Sequence, residues 1–272
     1  MNISVLRFYL KSRKMRKTLV LFIISLLAIS VAFAQTSKMI FPSEDLLYEV
    51  SFLGIKLGSI RIVTEGYETF GKYKVVKTVS YIDSYSGIPF VDLHAVYRSW
   101  MDPSTVFSYK FTGSTKEQDY WLFDQTIFDY DNKKIIAEKF KKGVKYRSRV
   151  IYTTKKWSDG LSIFFLAREF VKSKRNIKIP TVIDVDTCYT YINFVGKRES
   201  VKISSIDYPV RTVWFNGRAD WTGIYGLTGY FEGWFSDDDA SIPIKAKMNV
   251  YVGSINIELI KWNRKGWVPP RG

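Results

Sequence analysis

Cysteine and histidine each occur once in 272 residues, and those two scarcities remove most familiar enzyme chemistry. Cys188 alone cannot close an intramolecular disulfide and has no partners for a metal cluster. It lies in the strand-patterned run from Thr181 to Val195, which predicts a buried structural thiol rather than a nucleophile. Any histidine-based triad must pass through His94, and alternation puts that side chain on the polar face of a strand beside Asp92 and Arg98. A hydrogen-bonded surface role is expected there. No Gly-x-Ser-x-Gly, paired His-Glu motif or phosphate-cradling glycine loop occurs. The sequence therefore assigns no catalytic residue, no cofactor and no metal. Low-complexity linkers, internal repeats and shifts of composition are missing too, which predicts one domain.

What is present begins with a leader. Six basic side chains between Arg7 and Lys17, without an acid, run into the apolar stretch from Leu19 to Phe33. That stretch ends at Ala32-Phe33-Ala34 before Gln35, the small-x-small pattern of a signal-peptidase site. The expectation is a signal peptide over residues 1–34 and a mature domain over residues 35–272 with a short C-terminal tail. Met15-Arg-Lys-Thr would also start such a leader, so Met1 and Met15 both stand as initiators. No later stretch reaches the roughly 20 apolar residues a membrane helix requires. An exported, periplasmic and soluble product is expected.

Taking away the leader's six positive charges from +15 leaves +9, and the segment from Lys133 to Lys156 supplies that by itself, with ten Lys/Arg and one Glu. Within it Val144, Tyr146, Val150 and Tyr152 alternate with Lys145, Arg147 and Arg149, which predicts a strand with an apolar face on the core and a charged face in water. Export makes nucleic acid an implausible partner for that charge. Anionic headgroups or lipopolysaccharide phosphates fit better, so Lys145, Arg147 and Arg149 are candidate ligand-binding residues.

Aromatics at 17% and period-two patterning point to a mainly β chain. Leu46, Tyr48, Val50 and Phe52 lead through Gly54 into Ile55, Leu57 and Val63, a hairpin. Further strands are predicted over Lys72 to Ile82, from Val91 to Trp100, Thr105 to Phe111 and Asp119 to Tyr130. The C-terminal part returns to strands, with a closing hairpin at Gly253-Ser254. One helix is expected, from Asp159 to Ser173, capped by Ser158 or Asp159, buried through Leu161, Phe165 and Leu166, and ending in Lys172, Lys174 and Arg175.

Other polar clusters have plain readings. Asp237-Asp238-Asp239 and Asp129-Tyr-Asp131-Asn132 have the oxygen ligands of a hard-cation site, but lack a calcium loop's further ligands and are expected to cap turns. Asp184 and Asp186 would share one strand face about 7 Å apart, a spacing compatible with a glycosidase pair and more ordinary as two solvated acids. Trp214, Trp221 and Trp234, with Phe215, Tyr225, Tyr230, Phe231 and Phe235, form a dense aromatic supply. Core packing and a wall for lipid or sugar both remain open for it.

Three motifs resemble the bacterial family known as domain of unknown function (DUF) 3108. Ser43-Glu44-Asp45-Leu46-Leu47-Tyr48, with Gly54-Ile55 and Gly58, is similar to that family's opening Gly-Glu-x-Leu-x-Tyr hairpin, Ser43 replacing glycine. Asp159-Gly-Leu-Ser162 through Arg168 resembles its Asp-x-Leu-Ser helix start. Trp234-Phe-Ser236-Asp237-Asp238, followed by Ile242-Pro243-Ile244, resembles its Trp-x-Ser-Asp-Asp turn, with Ser241 where arginine is common. The resemblance runs from Phe41 to Trp262. It implies an envelope protein with a curved antiparallel sheet or half-barrel around one principal buried helix. Structural roles follow for Glu44, Tyr48, Asp159, Ser162, Arg168, Asp237, Asp238 and Pro243, with Arg168 seeking an acid such as Asp237 or Asp238. By looser analogy with lipoprotein carriers, the resemblance implies a cavity for a lipid-like amphiphile. A non-catalytic structural or assembly protein engaging envelope partners is the alternative.

Overall fold

The period-two runs of the sequence become fourteen strands. In the computed structural model, which describes residues 36–88, 92–223, 228–250 and 253–272, they pair into one antiparallel sheet. The leader expected over residues 1–34 lies outside the described residues, as do Pro89, Val91, Tyr225 and Val252. The first eight strands are β1 (Asp45–Phe52), β2 (Ile55–Phe70), β3 (Tyr73–Ser84), β4 (His94–Met101), β5 (Ser108–Glu117), β6 (Tyr120–Asp129), β7 (Lys134–Lys141) and β8 (Val144–Tyr152). A helix, α1 (Ser162–Phe170), crosses to β9 (Asn176–Ile183), β10 (Asp186–Val201), β11 (Val210–Ala219), β12 (Gly229–Ser236), β13 (Pro243–Asn249) and β14 (Ser254–Asn263).

Within β1–β8 and within β9–β14 each strand neighbours its successor, and the two series join where β1 pairs with β14. The sheet is therefore an up-and-down meander that is not closed into a barrel: β8 and β9 are its two free edges. Strict alternation of direction sorts the connections into two rims. One rim, called the hairpin rim below, carries the seven connections that lead from an odd-numbered strand to the next even-numbered one, from β1–β2 to β13–β14. The other carries the remaining loops, the α1 crossover and both ends of the described chain.

Two turns show how the meander reverses. Leu53-Gly54 and Lys142-Gly143 are two-residue loops with positive φ at both positions, 48° and 83° in the first, 50° and 78° in the second. That is the type I′ geometry favoured by the right-handed twist of the flanking strands.

The concave face packs on α1. Phe165, Leu166 and Ala167 of the helix share one buried cluster with Leu46, Tyr48, Ile62 and Met101 on one side and Ile192, Phe215, Phe235 and Leu259 on the other. Each fully buried apolar side chain of this kind contributes about 1.5–3 kcal/mol of transfer free energy. A second, smaller cluster joins Phe128, Ile135 and Trp157 to Val182 of β9, across the gap between the sheet's free edges. The concave face also carries small polar residues, Thr64, Thr78, Ser80, Ser99 and Thr126, all buried.

Several expectations need correction. The helix is shorter than Asp159 to Ser173: Lys174 takes φ 52°, so Lys172, Lys174 and Arg175 follow the helix rather than close it. The strand expected from Thr105 starts at Ser108, because Asp102 accepts the amides of Ser104 and Thr105 at 2.9 and 2.8 Å and Val106 turns to φ 63°. Asp184 and Asp186 do not share a strand. Asp184 sits in the β9–β10 turn with φ 59°, and Asp186 opens β10.

The faces of β8 are reversed from the expectation. Arg147 and Arg149 pair across to Lys139 and Ala137 on the concave side, and Val150 and Tyr152 point outward and are exposed. Alternation identifies two faces but does not say which one the core takes. Here the acids of the β9–β10 turn draw the arginines inward.

Candidate functional site

The three sequence motifs meet at the rim that holds α1. Asp159 opens the helix with a carboxylate that is fully used: Oδ1 accepts the amides of Leu161 and Ser162, each at 2.8 Å, and Oδ2 accepts the hydroxyls of Ser99 and Ser108, each at 2.6 Å. Ser162 returns the contact, its Oγ accepting the Asp159 amide at 2.8 Å, in the reciprocal manner of a capping box. Burial pushes the Asp159 carboxyl above the usual carboxylate range, against the opposing effect of these hydrogen bonds.

Arg168, on the last turn of α1, is fully buried. Its guanidinium donates to both carboxylate oxygens of Glu44, at 2.7 and 3.1 Å, and to the Ala240 carbonyl at 3.0 Å. Arg264, just past β14, donates to the same Glu44 carboxylate. The acid expected for Arg168, Asp237 or Asp238, is thus Glu44 instead. A fork-shaped guanidinium is best met by a carboxylate presented face on, and Glu44 sits opposite it at the entrance to β1.

The Asp pair has two other duties. Asp238 Oδ1 accepts Ser236 Oγ at 2.8 Å and the amides of Ala240 and Ser241 at 2.9 and 3.0 Å, while Oδ2 accepts Trp267 Nε1 at 2.8 Å. That loop fixes the carbonyl Arg168 uses. Asp237 faces Arg198 at 2.9 Å and Arg211 at 3.7 Å. Pro243 is buried at the first position of β13, beside a bulge, where no ladder amide is required. Tyr48 is buried, its ring edge-on to Phe164 with centroids 6.4 Å apart. Burial holds its hydroxyl well above the ordinary tyrosine range.

The basic candidates lie elsewhere, at the seam between the free edges. Arg147 donates to Asp184 at 2.6 Å and to Asp186 at 3.2 Å; Arg149 also meets Asp186, and Lys139 meets Asp184. Lys145 bonds Glu138 at 2.9 Å. Burial works against the charge of Lys139, but its hydrogen bond to Asp184 prevails and its pKa rises. Below these pairs Ser158 ties the seam through main chain, its amide donating to Pro180 and its carbonyl accepting from Val182, both at 2.9 Å.

The aromatic supply divides between both faces. Phe215 and Phe235 stack in the core with centroids 4.7 Å apart. Gly233 and Gly217 make room for the rings of Phe215 and Phe231: a Cβ at either glycine would come within 2.5 Å of them. Trp214 and Trp234 are direct cross-strand partners on the opposite face and donate to Glu232 at 3.1 Å and Glu199 at 2.6 Å. Trp221 donates to Thr190 at 2.9 Å. The three tryptophans do not converge with Lys145, Arg147 and Arg149.

His94 bonds Asp83 at 2.8 Å and Asp92 at 3.3 Å. Asp129 accepts the amide of Asn132 at 3.1 Å, so that cluster does cap a turn. Cys188 is half-buried and its thiol is pushed up to about 12 by burial. Among the described residues no three His, Cys, Asp or Glu side chains are grouped to hold a metal ion, and no helix is long and apolar enough to cross a membrane.

One cleft was invisible in the sequence. A space of about 430 Å³ opens beside the end of α1, lined by Ser104, Leu166, Glu169, Phe170, Lys172 and Arg175 among others. Only the basic run Lys172, Lys174 and Arg175 in the sequence could have drawn attention to it; in the structure Lys172 pairs with Asp239 at 3.6 Å and Arg175 lies over the Phe170 ring.

An open antiparallel meander wrapped on one short helix defines a barrel-like β protein whose motif residues are internal. The chain belongs to the family described as protein of unknown function (DUF3108), which it matches over residues 47–260. Among solved structures it is similar to a β-barrel-like protein of domain of unknown function DUF1849 from Brucella abortus, at 11% identity and a TM-score of 0.54, covering 84% of this chain and 99% of that one. That likeness is one of fold alone. No curated protein matches the chain.

Proposed function

We propose that the protein is an exported, non-catalytic component of the cell envelope that works through its outer surface, as a structural or assembly protein. The observation that carries this reading is where the polar motif residues lie: Glu44, Asp159, Ser162 and Arg168 are all buried and bonded to one another's elements. They hold α1 in the concavity where an acyl tail would have to lie. The arginines expected to meet an anionic head already face Asp184 and Asp186. The leader pattern at Ala32-Phe33-Ala34 supports export.

A carrier for a lipid-like amphiphile is the second reading, favoured by the cleft beside α1. Leu166 and Phe170 offer an apolar wall there, with Lys172 and Arg175 at hand for an anionic head. Its volume lies within the range of small-ligand sites. Mass spectrometry of lipids retained by the purified protein, with titration of a fluorescent acyl probe, separates the two. The surface reading expects no retained lipid and no saturable uptake. One-to-one uptake lost in Lys172→Ser/Arg175→Ser would replace it with the carrier reading.

A further inference from the structure

The two rims of the half-barrel differ in what they show to solvent. Among the described residues thirteen large apolar side chains are exposed, and six of them lie in or within two residues of the seven hairpin turns. These are Leu53 and Ile55 at the β1–β2 turn, Tyr85 after β3, Trp121 at β5–β6, Val144 at β7–β8 and Tyr230 at β11–β12. The rim that holds α1 has two such residues beside its loops or chain ends, Tyr152 and Val268. Exposed apolar side chains scattered singly are ordinary; a set gathered on one end of a molecule marks a contact surface.

Two details make the hairpin rim more specific. Leu53 is 82% exposed and sits at φ 48°, a turn position where a bulky side chain is unfavourable and Asn or Gly is preferred. No packing inside the protein explains a leucine there. Lys142 holds the equivalent position of the β7–β8 turn, next to Val144, which is 69% exposed. Lys141 and Lys142 lie over the ring of Tyr120 at 4.8 and 5.2 Å and face no carboxylate within ion-pair distance among the described residues. The same rim carries acids, Asp92, Glu117, Asp119 and Asp220 among them, so its positive charge is local to the β7–β8 turn. Aliphatic tips, Trp and Tyr, with two lysines outside any ion pair at that turn, form the composition of a surface that meets lipid at the headgroup level.

We infer that the hairpin rim docks on an anionic lipid bilayer surface, with Leu53, Ile55 and Val144 entering the interface and Lys141 and Lys142 facing lipid phosphates. The rim is peripheral: no strand is immersed, and α1 stays at the far end. The inference extends the proposed function by naming a partner, and it is independent of whether the cleft beside α1 takes a ligand.

The test is co-sedimentation of the protein, expressed with its own leader and purified as the cell processes it, with phosphatidylcholine vesicles containing or lacking phosphatidylglycerol. The wild type should bind the anionic vesicles, and Leu53→Ser/Ile55→Ser/Val144→Ser should lower the partition coefficient at least tenfold. Lys141→Ser/Lys142→Ser should abolish the preference for phosphatidylglycerol and flatten the salt dependence. Vesicles with brominated acyl chains should quench part of the tryptophan emission, and Trp121→Phe should remove that part. Circular dichroism and melting temperatures check that the exposed substitutions leave the fold intact. Absence of wild-type binding, or equal binding by the triple serine variant, overturns the inference. Lost vesicle binding with unchanged acyl-probe behaviour keeps this result separate from the carrier question.

Discussion

Replacing Arg168 by Met tests how the three motifs cooperate. The wild-type guanidinium is excluded from water and makes three hydrogen bonds, two to Glu44 and one to the Ala240 carbonyl. Removing one partner of such a buried pair typically costs about 3–5 kcal/mol, because the remaining charge keeps its desolvation penalty. Arg264 still meets Glu44 in the variant, so a loss near the lower end, about 3 kcal/mol, is expected. For a domain of this size that corresponds to a fall in Tm of roughly 6–12 °C. Glu44→Leu should cost more, since it leaves two guanidiniums without their carboxylate. In Arg168→Met/Glu44→Leu both fully buried charges are gone, and Arg264, nearer the surface, can turn toward water. The double variant should therefore be more stable than the sum of the single losses by about 1–3 kcal/mol, the coupling of groups in one network. Urea unfolding followed by tryptophan fluorescence measures all four proteins. A loss below about 0.5 kcal/mol for Arg168→Met, the level of an ordinary surface change, would refute the reasoning; so would strict additivity in the cycle.

Gly217→Ala and Gly233→Ala should each lower stability by about 1–3 kcal/mol through overpacking against Phe231 and Phe215, read as a drop in Tm. Cys188 should react with iodoacetamide at pH 8 about a thousandfold more slowly in the folded than in the urea-unfolded protein, since a pKa near 12 leaves little thiolate. Cys188, Tyr48, Tyr109 and Tyr130 all have raised folded pKa values, chiefly from burial. The unfolded chain therefore loses those protons first. Stability should be intact below about pH 9 and fall as pH rises toward 12, seen as a declining Tm. Asp186→Asn should change stability by less than about 1 kcal/mol, because its arginine partners are half-exposed. It should nonetheless speed hydrogen exchange along β8, an effect that 0.5 M salt reproduces in the wild type.

The mainly β class and the single helix were legible in the sequence because each rests on a period that burial enforces along the chain. The hairpin from Leu46 to Val63 falls where alternation puts it, whereas Asp159 holds the turn leading into α1, two residues ahead of the helix's N-cap position at Leu161. Other features depend on contacts between distant segments. Glu44 and Arg168 are 124 positions apart, and nothing local tells arginine to choose Glu44 over Asp237 or Asp238. The inward turn of Arg147 and Arg149 follows from acids on the far edge of the sheet, and a strand's own alternation reads identically with its faces exchanged. Trp214 and Phe215 are adjacent in sequence and on opposite faces, so their density gave no hint that they would separate. The hairpin rim was equally hidden, for it exists only once seven turns are brought to one end.

The pairing of β1 with β14 has a consequence for how the chain acquires its structure. Every other pairing in the sheet joins consecutive strands, except across the α1 crossover where β8 and β9 do not pair, so each half can assemble as its residues become available. β1 instead borders a strand more than 200 residues later, with Leu46 opposite Trp262. Glu44 likewise waits for Arg264. During vectorial synthesis, N-terminus first, the inner edge of β1 stays bare until β14, the last of the fourteen strands, has emerged. A bare strand edge of this kind templates aggregation, and late closure through distant contacts is slow. Loss of β14 (Ser254–Asn263) would leave two half-sheets without the strand that joins them, so that strand acts as a quality gate on the thirteen made before it.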